Sequence, residues 1–92
     1  MTNDFDNIIL IALKEEAPHM AKWSNVFFTG VGKVNAGICA GKLIERYQPK
    51  TVWNFGTAGG ISVSSGLHEM KNFVQRDMLC SEMGFGVGQT PF

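Results

Sequence analysis

The feature that most constrains the fold is an unbroken apolar run, Ile8 to Leu13, directly after Asn7. Such a run is typical of a short strand that is buried on both faces of a sheet, as strands in parallel sheets are. We therefore predict a strand over Asn7–Leu13. Val26–Thr29 and Thr51–Phe55 combine β-branched and aromatic residues, and they are predicted to be two further strands.

The segments between these strands have helical character. Glu15–Trp23 is predicted to form a short helical turn or helix. A longer helix is predicted from the glycine turn at Gly30–Asn35 to about Tyr47, and Gln48–Pro49 ends it. Small residues in this helix would let it lie close against the sheet: Ala36, Gly37, Ala40 and Gly41.

The alternation of strands and helices predicts the fold class. A weaker fourth strand is predicted at Asn72–Gln75, and the tail from Cys80 to Phe92 is predicted to be a loop. Strand, helix, strand, helix, strand is the signature of an α/β layer structure with a central, mostly parallel sheet. Ninety-two residues allow one small domain of this kind.

Composition and charge exclude several functions. The formal net charge is zero and Lys and Arg do not cluster, so we expect neither nucleic acid nor a membrane surface as a partner. No group of His, Cys, Asp and Glu has metal-ligand spacing, and no cofactor is predicted. The acidic, polar start of the chain is unlike a signal peptide, and Cys39 and Cys80 fit a reducing compartment, which predicts a cytoplasmic protein.

Two nucleotide-binding motifs can be rejected. The segment from Gly30 resembles a dinucleotide fingerprint, but Asn35 replaces its third glycine, and no acidic residue lies about twenty positions further on. The pair Gly32–Lys33 fails the P-loop pattern, since Phe27 stands where that pattern needs its first glycine and Val34 where it needs Ser or Thr.

Three loops follow the predicted strands and form a candidate ligand site. In parallel sheets ligands bind at the carboxyl ends of the strands. The loops are Lys14–Glu16, Gly30–Asn35 and Gly56–Gly60. The third has almost no side chains, so its backbone N–H groups can come close to a bound molecule.

Four segments, in order, resemble the nucleoside phosphorylase and nucleosidase superfamily. They are IALKEEAP (11–18), FTGVGKVNAG (28–37), NFGTAGG (54–60) and GQTP (88–91). The chain is most similar to 5′-methylthioadenosine/S-adenosylhomocysteine nucleosidases. The resemblance implies a layered α/β fold, a role in methionine salvage, and a purine nucleoside ligand with a thioether at its 5′ carbon.

The resemblance also implies residue roles. Glu16 would hold and activate the attacking water, and Val31 would line the ribose and the 5′ side of the site. Thr57, Ala58 and Gly59 would form the floor beside base and sugar. These roles suit the chemistry, because a carboxylate stabilises an oxocarbenium-like transition state while it takes a proton from water.

Each functional interpretation has a structural alternative. Glu16 could be an exposed carboxylate near a helix start, where the helix dipole favours it. The turn at Gly30–Asn35 could be only a tight connection between strand and helix. His19 and His68 match no motif and are predicted to be surface residues, and Asp77 is predicted to be an ion-paired residue at a strand end.

The chain departs from the family pattern in length. In complete members a distal half supplies a Met-Glu pair for the ribose hydroxyls and a carboxylic acid for the departing base. Glu82 and Met83 stand here in the reverse order and do not replace that pair. Residues 1–92 are therefore expected to be the N-terminal portion of one nucleosidase-like domain and to be inactive alone. The alternatives are an inactive nucleoside-binding or association module, or a nucleoside phosphorylase.

The last loop is expected to contact a partner subunit. In the family that the chain resembles, this loop closes the neighbour's pocket across a two-fold axis. The matching positions are Gln89 and Pro91, with Phe85 or Met83 as the apolar contact. The resemblance therefore implies a homodimer for the complete protein.

Overall fold

The computed structural model describes residues 5–78, together with residues 83, 84, 86 and 88. The chain divides into two compact units, one up to Gly59 and one from Gly60 on. All regular elements of the described residues lie in the first unit. They are β1 (Asn7–Ile11), β2 (Val26–Phe28), α1 (Lys33–Tyr47) and β3 (Thr51–Asn54), with 3-10 turns at Lys14–Glu16 and Pro18–Met20.

The three strands form one parallel sheet in the order β2-β1-β3. Ile9 of β1 is aligned with Val26 on one side and with Trp53 on the other. The start of β3 is fixed by Asp6, whose carbonyl oxygen accepts the backbone N–H groups of Lys50 (2.8 Å) and Thr51 (2.9 Å). This α/β arrangement confirms the fold class predicted from the sequence.

The core is built on the central strand, β1. Side chains alternate across a strand, so Ile8 and Leu10 lie on one face of β1, and Ile9 and Ile11 on the other. Ile8 and Ile11 are fully buried. The second face packs in a cluster with Ala17, Met20 and Val26. An apolar strand with both faces covered is what its sequence predicts.

The predicted helix at Glu15–Trp23 is replaced by two separate 3-10 turns. Pro18 has no N–H to donate, and it disfavours helical backbone at the residue before it. Ala17 accordingly adopts φ −152° and ψ 66°, which breaks the helical path after Glu16. The second turn then begins at Pro18, where a missing N–H is tolerated.

Of the four small residues expected to let α1 lie close against the sheet, Ala36 and Ala40 are partly buried, whereas Gly37 and Gly41 are exposed. The partly buried residues of α1 follow helical spacing: Ala36, Cys39, Ala40, Leu43 and Tyr47. Gly37 and Gly41 are exposed, and apart from neighbouring residues and backbone of the same helix, a Cβ atom at either position would meet nothing within 4 Å among the described residues. The expected close packing of these two glycines against the sheet is therefore wrong.

Aromatic stacking secures the end of α1. The rings of Phe5 and Tyr47 stack with centroids 4.1 Å apart. Phe27 of β2 contacts both rings at tilted angles, with centroids 6.4 Å from Phe5 and 6.1 Å from Tyr47. Because Gln48 follows with a left-handed backbone (φ 48°), the chain leaves the helix directly after this contact and turns toward β3.

Strand β3 lies at an edge of the sheet within the described residues, and all four of its residues are exposed. Trp53 is 49% exposed, and Val52 and Phe55 also remain partly in water. The sequence predicts a strand that would be covered on both faces in a larger fold, but it supplies too few helices to cover it, so exposed apolar area and an unpaired edge are expected here. A row of apolar side chains beside an open strand edge is a surface that favours association.

The predicted strand at Asn72–Gln75 is absent from the second unit, where these four residues have irregular backbone. Gln75 instead takes part in a local set of backbone bonds, donating its N–H to Gly88 (3.0 Å) and accepting from Met78 (2.9 Å). Phe73 and Val74 are largely exposed, so the short apolar pattern there lacks the burial that stabilises a strand.

Candidate functional site

The three predicted loops follow the carboxyl ends of the parallel strands and therefore lie at the same end of the sheet. Beyond β3, the backbone N–H of Phe55 donates to Leu10 (2.9 Å). Beyond β2, the N–H groups of Thr29 and Gly30 donate to Ile11 (2.9 Å) and Ala12 (3.0 Å). Because β1 lies between the other two strands, the turn that follows it is flanked by the loops after β2 and β3.

Glu16 is held by the turn that it ends. Its backbone N–H donates to the carbonyl oxygen of Leu13 (3.0 Å), and its Oε1 accepts the backbone N–H of Leu13 (3.1 Å). These two reciprocal bonds close the 3-10 turn and satisfy a donor that follows the end of β1. Glu16 is partly exposed, so its carboxylate remains accessible to a ligand or water.

Thr57 holds the other carboxylate oxygen. Its backbone N–H donates to Oε2 of Glu16 (3.0 Å), and its hydroxyl donates to the same atom (2.8 Å). The two residues are 41 positions apart in the chain, and they meet because β1 and β3 are neighbours in the sheet. The structure thus brings together two of the predicted site residues.

These hydrogen bonds lower the pKa of Glu16. The largest cause is the hydroxyl of Thr57, followed by the backbone N–H groups of Thr57 and Leu13, while partial burial acts weakly in the opposite direction. Donors to a carboxylate stabilise its charged form. Glu16 is therefore ionised at neutral pH.

Replacing Thr57 by valine is expected to raise the pKa of Glu16 toward its ordinary value of 4.5, because the largest stabilising donor is removed. A depressed pKa stabilises the fold above the unfolded-state pKa, and this contribution is lost as the pH falls through the folded-state pKa. The valine variant should therefore lose less stability than the wild type between neutral and acid pH. Titration of the Glu16 carboxyl carbon by NMR measures the pKa.

Thr51→Val is the matched control for this change. Thr51 is an exposed threonine at the start of β3, and its replacement by valine is the same chemical change at a different position. It should leave the Glu16 titration as in the wild type. Equal titration curves for wild type and Thr57→Val would contradict the assigned cause.

The loop after β2 is a tight turn held by its own hydrogen bonds. Gly30 and Gly32 have φ of +84° and +96°, a region that favours glycine. The side-chain amide of Asn35 donates to the carbonyl oxygen of Val31 (2.8 Å), and the hydroxyl of Thr29 donates to that of Gly30 (2.7 Å). Val31 is 65% exposed at the tip of this turn. Its predicted contact with a ribose stays a prediction.

Some of the remaining predicted site residues are described by the structure, and others lie outside the described residues. Ala58 and Gly59 are exposed, directly after Thr57. Gln89, Pro91 and Phe85 lie outside the described residues, so the predicted lid stays a prediction.

Both histidines lie at the surface, as the sequence predicts. His19 is exposed in the second 3-10 turn, and His68 is exposed with Nε2 2.9 Å from the carbonyl oxygen of Ser64. Within the described residues, no three His, Cys, Asp or Glu side chains are placed to share a metal ion. In the same residues, no helix has the length and apolarity needed to cross a membrane.

Sequence reasoning missed the direct bond between Thr57 and Glu16. It placed Thr57 in the floor of the site and Glu16 beside the water, without joining them. The available signal was a hydroxyl residue in the loop after one strand and a carboxylate in the loop after another. Using it required the strand order, because only neighbouring strands bring their end loops into contact.

Comparison with known proteins identifies a family and several relatives. The family model described as the phosphorylase superfamily matches residues 24–82. A protein of Staphylococcus haemolyticus named 5′-methylthioadenosine/S-adenosylhomocysteine nucleosidase is 35% identical over 66 residues, which cover 68% of this chain and 29% of that protein. A protein of the same name from Anoxybacillus flavithermus is 35% identical over 66 residues, with 68% and 28% covered.

A shorter stretch is more similar to a third relative. The protein of the same name from Bacillus cytotoxicus is 56% identical over 32 residues, which cover 35% of this chain and 14% of that protein. The chain spans less than a third of the length of the relatives that it matches. No solved structure is significantly similar to it.

Proposed function

Because the chain belongs to the phosphorylase superfamily, as its motifs predicted, we propose that its strand-end loops form part of a site for hydrolysing the N-glycosidic bond of a purine nucleoside. The observation that carries this proposal is the contact between Glu16 and Thr57. It holds an ionised carboxylate at the carboxyl ends of two neighbouring parallel strands, where ligands bind in such sheets.

The chemistry requires two opposite tasks at the two ends of one bond. The oxygen of a water molecule bonds to the anomeric carbon of the sugar, and the bond from that carbon to the base nitrogen breaks. The bonding electrons go to the base, which must then gain a proton, while the water must lose one. Glu16 is ionised and accessible, so it can orient the water and receive its proton.

The lowered pKa of Glu16 shapes how it acts. A carboxylate held by three donors is a weak base, and it takes the proton only after the water has become acidic by bonding to the sugar. Before that point its negative charge stabilises the positive charge that develops on the ribose ring. The first contribution of Glu16 is therefore electrostatic.

The substrate class follows from the names of the relatives. Those proteins are named as nucleosidases of 5′-methylthioadenosine and S-adenosylhomocysteine. For this protein we propose 5′-thio-substituted adenosines as substrates, with a place in methionine salvage in the cytoplasm. A homodimer closed by Gln89 and Pro91 belongs to the same proposal.

Water is proposed as the acceptor in place of phosphate. Phosphorylases of this superfamily carry an arginine just before the glycine loop, where its fork can bind phosphate through two parallel bonds. Asn54 occupies that position at the end of β3, and residues 53–60 contain no Lys or Arg. A neutral amide cannot supply the charge that phosphate requires.

A chimaera tests this function, in which the chain replaces the corresponding N-terminal part of the Staphylococcus haemolyticus relative. We expect it to release adenine from 5′-methylthioadenosine in phosphate-free buffer, with no increase when phosphate is added. The 92-residue chain alone should release none, since the family resemblance assigns the acid that protonates the base to the distal half of the fold.

Two other outcomes of the chimaera experiment would support the alternative functions. Adenine release that depends on added phosphate would identify a phosphorylase. The second alternative is a module that binds nucleosides without turnover. Calorimetric binding of adenosine analogues to the chain, combined with an inactive chimaera, would support that module.

A further inference from the structure

Gly56 lies directly against the carboxylate of Glu16. A Cβ atom built on Gly56 would be 3.3 Å from Oε2 of Glu16, closer than most Cβ contacts in proteins. Apart from Gly56 itself and its two chain neighbours, no other heavy atom of the described residues lies within 4 Å of that position. A side chain at this position would therefore require the Glu16 carboxylate to shift by a few tenths of an ångström.

Backbone conformation does not explain this glycine. The glycines with left-handed backbone in the described chain are Gly30, Gly32, Gly66, Gly84 and Gly88. Gly56 is not among them, so other residues can adopt its backbone without strain. What the position requires is space, and that requirement comes from one side chain only.

The neighbouring Thr57 makes the space useful. Its N–H and hydroxyl both donate to the oxygen that fills the gap beside Gly56 (3.0 and 2.8 Å). With two donors on one side and a glycine that allows close approach, Oε2 has one well-defined position. A carboxylate that reached the loop from further away would lose one or both of these bonds.

We propose that Gly56 is a positioning residue for Glu16: its missing side chain lets the carboxylate dock against the loop, where Thr57 holds Oε2 while Leu13 holds Oε1. The proposal rests on the proposed function for its catalytic meaning. Its structural content, that Gly56 acts through Glu16, stands on the geometry of the loop.

Gly56→Ala and Gly59→Ala are the test and its matched control. Both change one glycine of the same loop to alanine, and a Cβ atom at Gly59 would meet nothing within 4 Å in the described chain. NMR of the full 92-residue chain would follow the Glu16 carboxyl carbon and the Thr57 amide proton over an acid titration. The amides of β1 report whether the sheet is intact.

We expect Gly56→Ala to raise the pKa of Glu16 and to reduce the titration shift of the Thr57 amide. Gly59→Ala should leave both as in the wild type. Wild-type titration of both groups in Gly56→Ala would overturn the proposal, as would an equal effect of the two alanines.

A double variant keeps the test decisive when Gly56→Ala alone does not fold. In Glu16→Ala the carboxylate is gone, so adding Gly56→Ala should cost no further stability. Failure of the double variant to fold, with Glu16→Ala folded, would show that the alanine clashes elsewhere and would contradict the proposal.

Activity separates this proposal from the proposed function. In the chimaera, Gly56→Ala should lower kcat by roughly 10- to 100-fold with little change in KM, because the carboxylate is displaced and the nucleoside contacts are kept. A chimaera without activity, together with the expected NMR titrations, would contradict the proposed function alone. An active chimaera with an unaltered Gly56→Ala kcat would contradict the positioning role alone.

Discussion

Replacing Glu16 by glutamine is expected to slow adenine release by the chimaera by about 10²- to 10⁴-fold, the usual contribution of a positioned acid or base. Glutamine keeps the length of the side chain, and its amide oxygen can still accept a bond from Thr57. It has no negative charge to stabilise the ribose cation, and it cannot receive the proton of water. The rate constant kcat, measured by following free adenine, checks this prediction.

The adjacent glutamate provides the matched control. Glu15 belongs to the same 3-10 turn and is exposed. Glu15→Gln removes the same charge one position away and should leave kcat nearly unchanged. Equal losses in the two variants would indicate a general effect of negative charge on the site, and full activity of Glu16→Gln would remove Glu16 from the mechanism.

Replacing Ile8 by alanine is expected to destabilise the fold by about 2–5 kcal/mol, the range for truncating a large buried aliphatic side chain. Ile8 is fully buried in the central strand, and the buried apolar core has few members to compensate. Native proteins are stable by only about 5–15 kcal/mol, so much of the folded population should be lost. Urea unfolding followed by circular dichroism gives the free energy of unfolding.

Ile38→Ala is the control for this loss within the same unit of the chain. Ile38 lies on α1 and is 54% exposed. Alanine also has the higher helix propensity, so the change should cost less than about 1 kcal/mol. Comparable losses for the two isoleucines would mean that β1 is not the centre of the core.

The first strand and the long helix could be predicted from sequence because their local signals are strong and agree with their burial. A strand made of an unbroken apolar run has no polar face to expose to water, which predicts a buried, central strand. β1 does lie between two other strands. Helix α1 begins at Lys33, within the glycine turn, and ends at Tyr47 as predicted. Gly37 and Gly41 were wrongly expected to lie against the sheet because small and apolar residues surround the helix, so composition does not select one stripe.

The other incorrect or missing predictions concern contacts with residues elsewhere in the chain, which the sequence pattern alone does not identify. Asn72–Gln75 has an apolar pattern, but a strand also requires a neighbour that accepts its bonds. The segment Glu15–Trp23 forms two turns because the non-helical backbone at Ala17 separates the turn before it from the one that begins at Pro18. Glu16 could be proposed from its place after a buried strand. Its partner Thr57 could not, since that contact depends on the order of the strands.

The central position of β1 has a consequence for the order in which the protein folds during synthesis. Both neighbours of β1 come later in the chain, and Thr57 follows Glu16 by 41 residues. At about 5–20 residues per second, a ribosome needs roughly 2–8 s to add them. During that interval β1, which has the most apolar residues of the three described strands, has no complete sheet to join. We therefore expect nascent chains to be bound by chaperones through Ile8–Leu13, and the carboxylate site to form only when β3 docks.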